Sequence, residues 1–341
     1  MLENMTDSWP SEAQQGLTDL PIFSVLSQIV ESLDDSNTLV LAAPPGAGKT
    51  TVVPLALLGR PWLGDAKILL LEPRRIAART AAERMASSLN EKTGETVGYR
   101  TRLQSKIGPK TRIEVVTEGV FTRMILDDPA LEGVGAVLFD EFHERSLDAD
   151  LGLALARESQ SILREDLRLL VMSATLDIAG VSRLLDDAPV IEAEGRAFPV
   201  ETLYLGRNPS ERLEDAVSKA VSLALDEQTG SILVFLPGQG EIHRVKQRLE
   251  ERLRHPGVDI APLYGAMDKA EQDRAIEPAA EGRRKVVLAT SVAETSLPCV
   301  QSGGPKGHGR NGWRKPRQRD AELCRRSGTR QWQAEDQPSR L

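Results

Sequence analysis

Cysteine is almost missing from this sequence. The 341 residues hold two, Cys299 and Cys324, too few and too close to the C-terminus for a disulfide framework or a zinc-ligand spacing. Aromatic residues make up only 4% of the chain, so any core must be filled by Leu, Val, Ile and Ala. Long apolar runs are absent as well. The most apolar window, residues 39–59, is broken by Pro44, Pro45 and Lys49, and fails the requirement of about 18 uninterrupted apolar residues for a membrane span. The N-terminus offers Glu3 and Asp7 where a secretory leader needs basic residues and then an apolar stretch. These absences predict a soluble, cytoplasmic chain with no membrane partner and no structural metal.

What is present is ordinary globular protein: 40% hydrophobic and 27% charged residues, with a net charge of -7. At roughly 150 residues per domain, two domains are expected. The charge is uneven. Residues 298–341 carry 10 Lys and Arg against 4 Asp and Glu, and residues 1–297 carry 33 against 46. An acidic body argues against non-specific coating of nucleic acid but leaves room for a local basic groove.

Short apolar runs recur at Thr38–Ala43, Lys67–Leu71, Ile113–Thr117, Ala136–Asp140, Leu169–Ala174 and Val190–Ala193 and predict buried strands. Stretches of helical period lie between them, at Arg75–Ser88, Phe121–Leu126 and Ala149–Gln160. That alternation predicts a doubly wound parallel sheet. A second series repeats it, with strands expected at Val200–Leu205, Ser231–Leu236, Ile260–Tyr264 and Lys285–Thr290. The organisation that follows is an N-terminal extension (1–20), domain 1 (21–198), a partial domain 2 (199–297) and a tail (298–341). The tail has three branched aliphatic residues among six Gly and four Pro, a composition that builds no core and predicts disorder.

Three motifs carry chemistry. The first expected strand runs into Pro44-Pro45-Gly46-Ala47-Gly48-Lys49-Thr50 and then a helix, the arrangement in which backbone N–H groups and a helix N-terminus cradle phosphate. Lys49 would reach the β- and γ-phosphates and Thr50 would hold Mg²⁺. Ala43 replaces the usual first glycine of the pattern. The second motif, Asp140-Glu141-Phe142-His143, places two acids at the C-terminal edge of a sheet, Asp140 for the metal and Glu141 to orient or deprotonate the attacking water. The third, Ser173-Ala174-Thr175, offers hydroxyl groups suited to coupling.

In order, and with PRRIAART at 73–80 and VVTEGV at 115–120 between them, these motifs resemble the superfamily 2 helicases of the DEAH/RHA group. The bacterial HrpB-type branch matches best, through LAAPPGAGKTT, LLEPRRIAART, VGYRTRLQSK, FDEFHERSLDADLGLAL, EGRAFPVE and ATSVAETSL. The resemblance spans about residues 19–297. It implies α/β architecture with two RecA-like domains in tandem, the second incomplete. ATP and Mg²⁺ would lie between them and single-stranded RNA or DNA would cross both, for an ATP-dependent helicase. The phosphate loop falls on Pro45, Gly46, Ala47, Gly48, Lys49, Thr50 and Thr51, the catalytic acids on Asp140 and Glu141, and the coupling groups on His143, Ser173 and Thr175. Nucleic-acid contacts fall on Arg74, Arg75, Thr117, Gly119, Gly238 and Thr290.

The resemblance breaks after Leu297. Members of the group carry a Gln-Arg-x-Gly-Arg-x-Gly-Arg stretch whose arginines reach the γ-phosphate, and residues 298–341 contain nothing that matches it. The abrupt change of composition reads as a truncation by a shifted reading frame, with an evolved basic tail as the alternative. Hydrolysis would then be weak, and a fragment that binds ATP and RNA without unwinding is the competing reading. A small-molecule kinase is disfavoured by Ser173-Ala174-Thr175 and by the repeated domain pattern.

Overall fold

The computed structural model describes residues 20–174, 178–194, 203–206, 208, 210–253, 256–291 and 293. The expected N-terminal extension up to residue 19, Thr175 and the tail at 298–341 lie outside the described residues.

The first sheet has eight strands: β1 (Thr38–Ala42), β2 (Lys67–Glu72), β3 (Val97–Arg100), β4 (Ser105–Lys106), β5 (Ile113–Thr117), β6 (Val134–Phe139), β7 (Arg168–Ser173) and β8 (Val190–Glu192). Their order is β4-β3-β5-β2-β6-β7-β1-β8. Every pairing is parallel except β3 with β4. That antiparallel edge was not expected, because Gly98 and the charged residues from Arg100 to Lys110 interrupt the apolar runs that mark a strand.

Strand side chains alternate between the two faces, and two cores result. Leu39, Leu41, Ile68, Leu70, Leu138 and Met172 face α1 (Leu26–Asp35), α2 (Lys49–Leu57) and α3 (Arg75–Ser88). Val40, Leu69, Leu71, Val137, Phe139 and Val171 face α4 (Glu118–Asp127), α5 (Leu147–Ile162) and α6 (Ile178–Leu184). Burial on both faces explains why the strands read as nearly unbroken apolar runs.

The second sheet contains β9 (Ile232–Phe235), β10 (Val258–Leu263) and β11 (Arg284–Ala289), parallel and ordered β10-β11-β9. Its helices are α7 (Leu213–Glu227), α8 (Gln239–Arg252) and α9 (Lys269–Ile276). Of the expected strand at 200–205, residues 203–205 are described and are not strand. Leu203, Tyr204 and Leu205 are instead exposed, with no ladder partner among the described residues. An apolar run without a neighbouring strand leaves its peptide groups to water.

Candidate nucleotide and nucleic-acid site

Strand register assembles the site. Phe139 on β6 pairs with Leu71 on β2 and Val171 on β7, Ser173 pairs with Ala42 on β1, and Glu72 pairs with Thr117 on β5. The C-terminal ends of five parallel strands therefore align, and each carries a residue singled out in the sequence or is followed by one within three positions. Open α/β sheets bind ligands at that edge.

After β1 the chain turns through Gly46 and Gly48, with φ of +77° and +96°, and enters α2 at Lys49. A side chain at Gly48 would meet Leu20 Cδ1 at 2.8 Å, whereas Gly46 has open space around it. Gly46 thus leaves the turn uncovered for an approaching ligand. The loop is closed on itself by the Ala47 N–H, which donates to Pro44 O, and tied to the body by the Ile22 N–H, which donates to Ala47 O.

Lys49 is buried and donates to Glu141 Oε1 at 2.9 Å, with Asp140 Oδ1 at 3.8 Å. Thr50 Oγ1 donates to Asp140 Oδ2. Thr51 is buried in the first turn of α2. Glu141 takes left-handed backbone angles, φ +50° and ψ +33°, and its N–H donates to Asp140 Oδ1 at 2.8 Å. A non-glycine residue there costs about 1–2 kcal/mol. The strain points both carboxyl groups at one lysine. His143 Nδ1 lies 3.3 Å from Glu141 Oε2 and also accepts the Ala174 N–H at 3.3 Å. This joins the acidic turn to the end of β7, where Ser173 is buried.

Burial works against the Lys49 charge, but Asp140 and Glu141 outweigh it and hold its pKa above the ordinary lysine value. Burial pushes Asp140 upward, and Lys49 draws it part of the way back. Sequence reasoning missed Glu72, which ends β2 and is fully inside the same acidic cluster. Burial, reinforced by the charges of Asp140 and Glu141, pushes its carboxyl well above the usual range. Its signal was an acid terminating the apolar run Ile68–Leu71.

Glu72 makes a pH-dependent prediction. A carboxyl with its folded pKa above its unfolded value ionises first in the unfolded chain. Stability from the neutral form is then present at low pH and is lost as pH rises from about 4.5 through the raised folded value. Glu72→Gln is expected to melt higher than the parent at pH 8, by roughly 1–3 kcal/mol of stability, with the gap closing towards pH 4.5. Melting curves across that range check it, and a gap independent of pH would contradict it.

The nucleic-acid candidates fall at the same end of the sheets. Arg74 faces Glu144 at 3.3 Å, and Arg75 Nη2 donates to the Gly265 carbonyl at 3.2 Å. Thr117 is buried at the end of β5, and Gly119 is exposed in the first turn of α4. Gly238 precedes α8, and the Thr290 N–H donates to Leu263 O at 3.3 Å. Glu118 was not anticipated. Its carboxylate accepts from Ser146 Oγ, the residue that caps α5, and so links the two loops that flank this surface.

The donor set suits Mg²⁺ and a triphosphate. Mg²⁺ takes hard oxygen ligands and is held by one or two protein groups with water and phosphate completing the shell, and Thr50 with Asp140 provides such a pair. Among the described residues no larger cluster of His, Cys, Asp and Glu is placed to hold a metal.

Residues 24–184 match the DEAD/DEAH box helicase model, and residues 211–300 match the helicase conserved C-terminal domain. Over 283 residues the chain is 54% identical to the ATP-dependent RNA helicase HrpB of Escherichia coli (strain K12), covering 82% of this chain and 34% of that protein. The chain thus spans about a third of the length of that curated relative. The crystal structure of the E. coli DEAH/RHA helicase HrpB superposes with a TM-score of 0.76 at 54% identity, covering 82% of this chain and 35% of the other. That of the E. coli DExH-box NTPase HrpB gives 0.68 at the same identity, covering 82% and 34%. Two tandem RecA-like domains describe the architecture. Among the described residues no helix is long and apolar enough to cross a membrane.

Proposed function

Over residues 24–300 the chain belongs to the DEAD/DEAH box helicase family, and from that membership we propose that it binds ATP with Mg²⁺ and couples nucleotide turnover to movement along single-stranded nucleic acid in the cytoplasm. The observation that carries the reading is the meeting of Lys49 and Thr50 with Asp140 and Glu141 at the C-terminal edge of the first sheet. Domain 1 (21–198) supplies the nucleotide site, and domain 2 (199–297) supplies Gly238 and Thr290 to the nucleic-acid track.

In this reading the residues of the phosphate loop from Pro45 to Thr51 surround the phosphates. Lys49 exchanges Glu141 for phosphate oxygens, which frees Glu141 to hold and deprotonate the attacking water. Thr50 and Asp140 would hold Mg²⁺, which when bound would supply positive charge beside the phosphates. His143 relays the state of Glu141 to β7 through the Ala174 amide, with Ser173 and Thr175 as the coupling hydroxyls. Arg74, Arg75, Thr117 and Gly119 grip the strand backbone by charge and by peptide N–H groups.

A second reading, a chain that holds ATP and RNA with little turnover, is favoured by one observation: residues 298–341 contain no Gln-Arg-x-Gly-Arg-x-Gly-Arg. Phosphate release with and without single-stranded RNA tests the reading. Stimulation by RNA, lost in Arg74→Ala with Arg75→Ala, is the expected result. Release indifferent to RNA but dependent on a small phosphate acceptor would replace it with a kinase.

A further inference from the structure

Four residues on one face of α3 meet the second domain. Arg75, Ile76, Arg79 and Glu83 recur at helical spacing. Arg79 Nη2 donates to Asp273 Oδ1 on α9 at 2.7 Å, and Lys269 Nζ, one turn earlier on α9, donates to Glu83 Oε1 at 2.6 Å. Ile76 is buried against Leu263, Ala275 and Val287. At the end of this seam Arg75 gives its guanidinium to the Gly265 carbonyl. Arg79 is nearly fully buried, yet its Nε lacks a hydrogen-bond partner. A buried donor left unmatched marks an arrangement held by its neighbours, not one optimised for itself.

We propose that Arg79 and Asp273 are positioning residues that hold Arg75 on the Gly265 carbonyl and so withhold it from a nucleic-acid phosphate. The inference rests on the reading of Arg75 as a backbone contact. One guanidinium cannot give the same N–H groups to a peptide carbonyl and to a phosphate. Nη2 is the group given to Gly265, so a phosphate that takes Nη2 must displace Gly265, and the ion pair a turn away on the same helix resists that exchange. Strand binding at α3 and the placement of domain 2 become one equilibrium, in which each biases the other by the same factor. Had the pair only stabilised the fold, breaking it would leave strand affinity unchanged or lower it.

The test uses the full chain and a fluorescently labelled single-stranded RNA oligonucleotide, with anisotropy read at one fixed salt concentration because backbone binding depends steeply on salt. Asp273→Asn keeps shape and removes charge at a partly exposed position, and Arg79→Ala is the companion change. Both are expected to bind the RNA about fivefold more tightly or better, at the lower end of coupling between sites. The gain must vanish when either is combined with Arg75→Ala. Unchanged or weaker binding by Asp273→Asn overturns the inference, and so does a gain that survives in the Arg75→Ala background. If the parent chain binds no RNA, the proposed function fails and takes this inference with it. If the parent binds but the variants do not differ from it, only the inference fails.

Discussion

Lys49→Ala is expected to weaken ATP–Mg²⁺ binding by about 10²-fold or more. Among the described residues the lysine is the one buried cation within reach of Asp140 and Glu141, donating to Glu141 at 2.9 Å and lying 3.8 Å from Asp140. Truncating one partner of a buried charge pair costs about 2–5 kcal/mol. Here two effects act in the same direction. The phosphates lose a charged donor, and two carboxyl groups are left facing them without a counter-ion. Glu141→Gln separates these effects, since it removes a negative charge and keeps the donor, and it is expected to bind nucleotide at least as tightly as the parent. Calorimetric titration of the three chains, with melting curves to show that each is folded, provides the comparison. An affinity for Lys49→Ala within threefold of the parent would remove Lys49 from the nucleotide site.

RNA-stimulated ATP turnover is expected to rise about 10³–10⁵-fold when a relative's continuation is supplied after Leu297, which is the range attributed to an arginine finger. The γ-phosphate would meet Lys49 and Mg²⁺ on the side of domain 1. Stabilising the transition state from the other side needs an arginine held in place before the reaction begins. The sequence after Leu297 has arginines, Arg314, Arg317, Arg319, Arg325 and Arg326 among them. None of them stands in a Gln-Arg-x-Gly-Arg-x-Gly-Arg stretch, and a catalytic group must be held to within roughly 0.5 Å. At saturating ATP and RNA, equal turnover by the two chains would show those arginines to be dispensable, and the catalytic part of the proposal would fall.

How far the site was readable depended on the range of the signal. The limits of α3 at Arg75 and Ser88 match the helical stretch expected there, because helical period is a local signal. The phosphate loop and the acids at 140–141 were visible for the same reason, each being a short run at the end of an apolar strand. Glu72 was passed over because nothing next to it in sequence says that its neighbours in space are also acids. That proximity comes from β2 pairing with β6, which alternation alone does not reveal. The Arg79–Asp273 pair spans 194 positions, and its members look like two solvated charges on two amphipathic helices. The exposed segment at 203–205 failed in the opposite direction: its local pattern suits a strand, but a strand also needs a partner.

Ile76 lies on the first domain yet completes an apolar cluster otherwise formed by Leu263, Ala275, Val287, Ala289 and Ala293 of the second. A ribosome releases the chain N-terminus first, and domains tend to fold as units in that order. The helix bearing Ile76 is therefore made, and its sheet can close, well before β10 and β11 emerge. The later sheet meets a wall that is already standing, and its last core position is filled by a residue synthesised almost two hundred positions earlier. Assembly of this protein is templated in one direction: the first domain can mature without the second, while the second reaches its complete core only against the first.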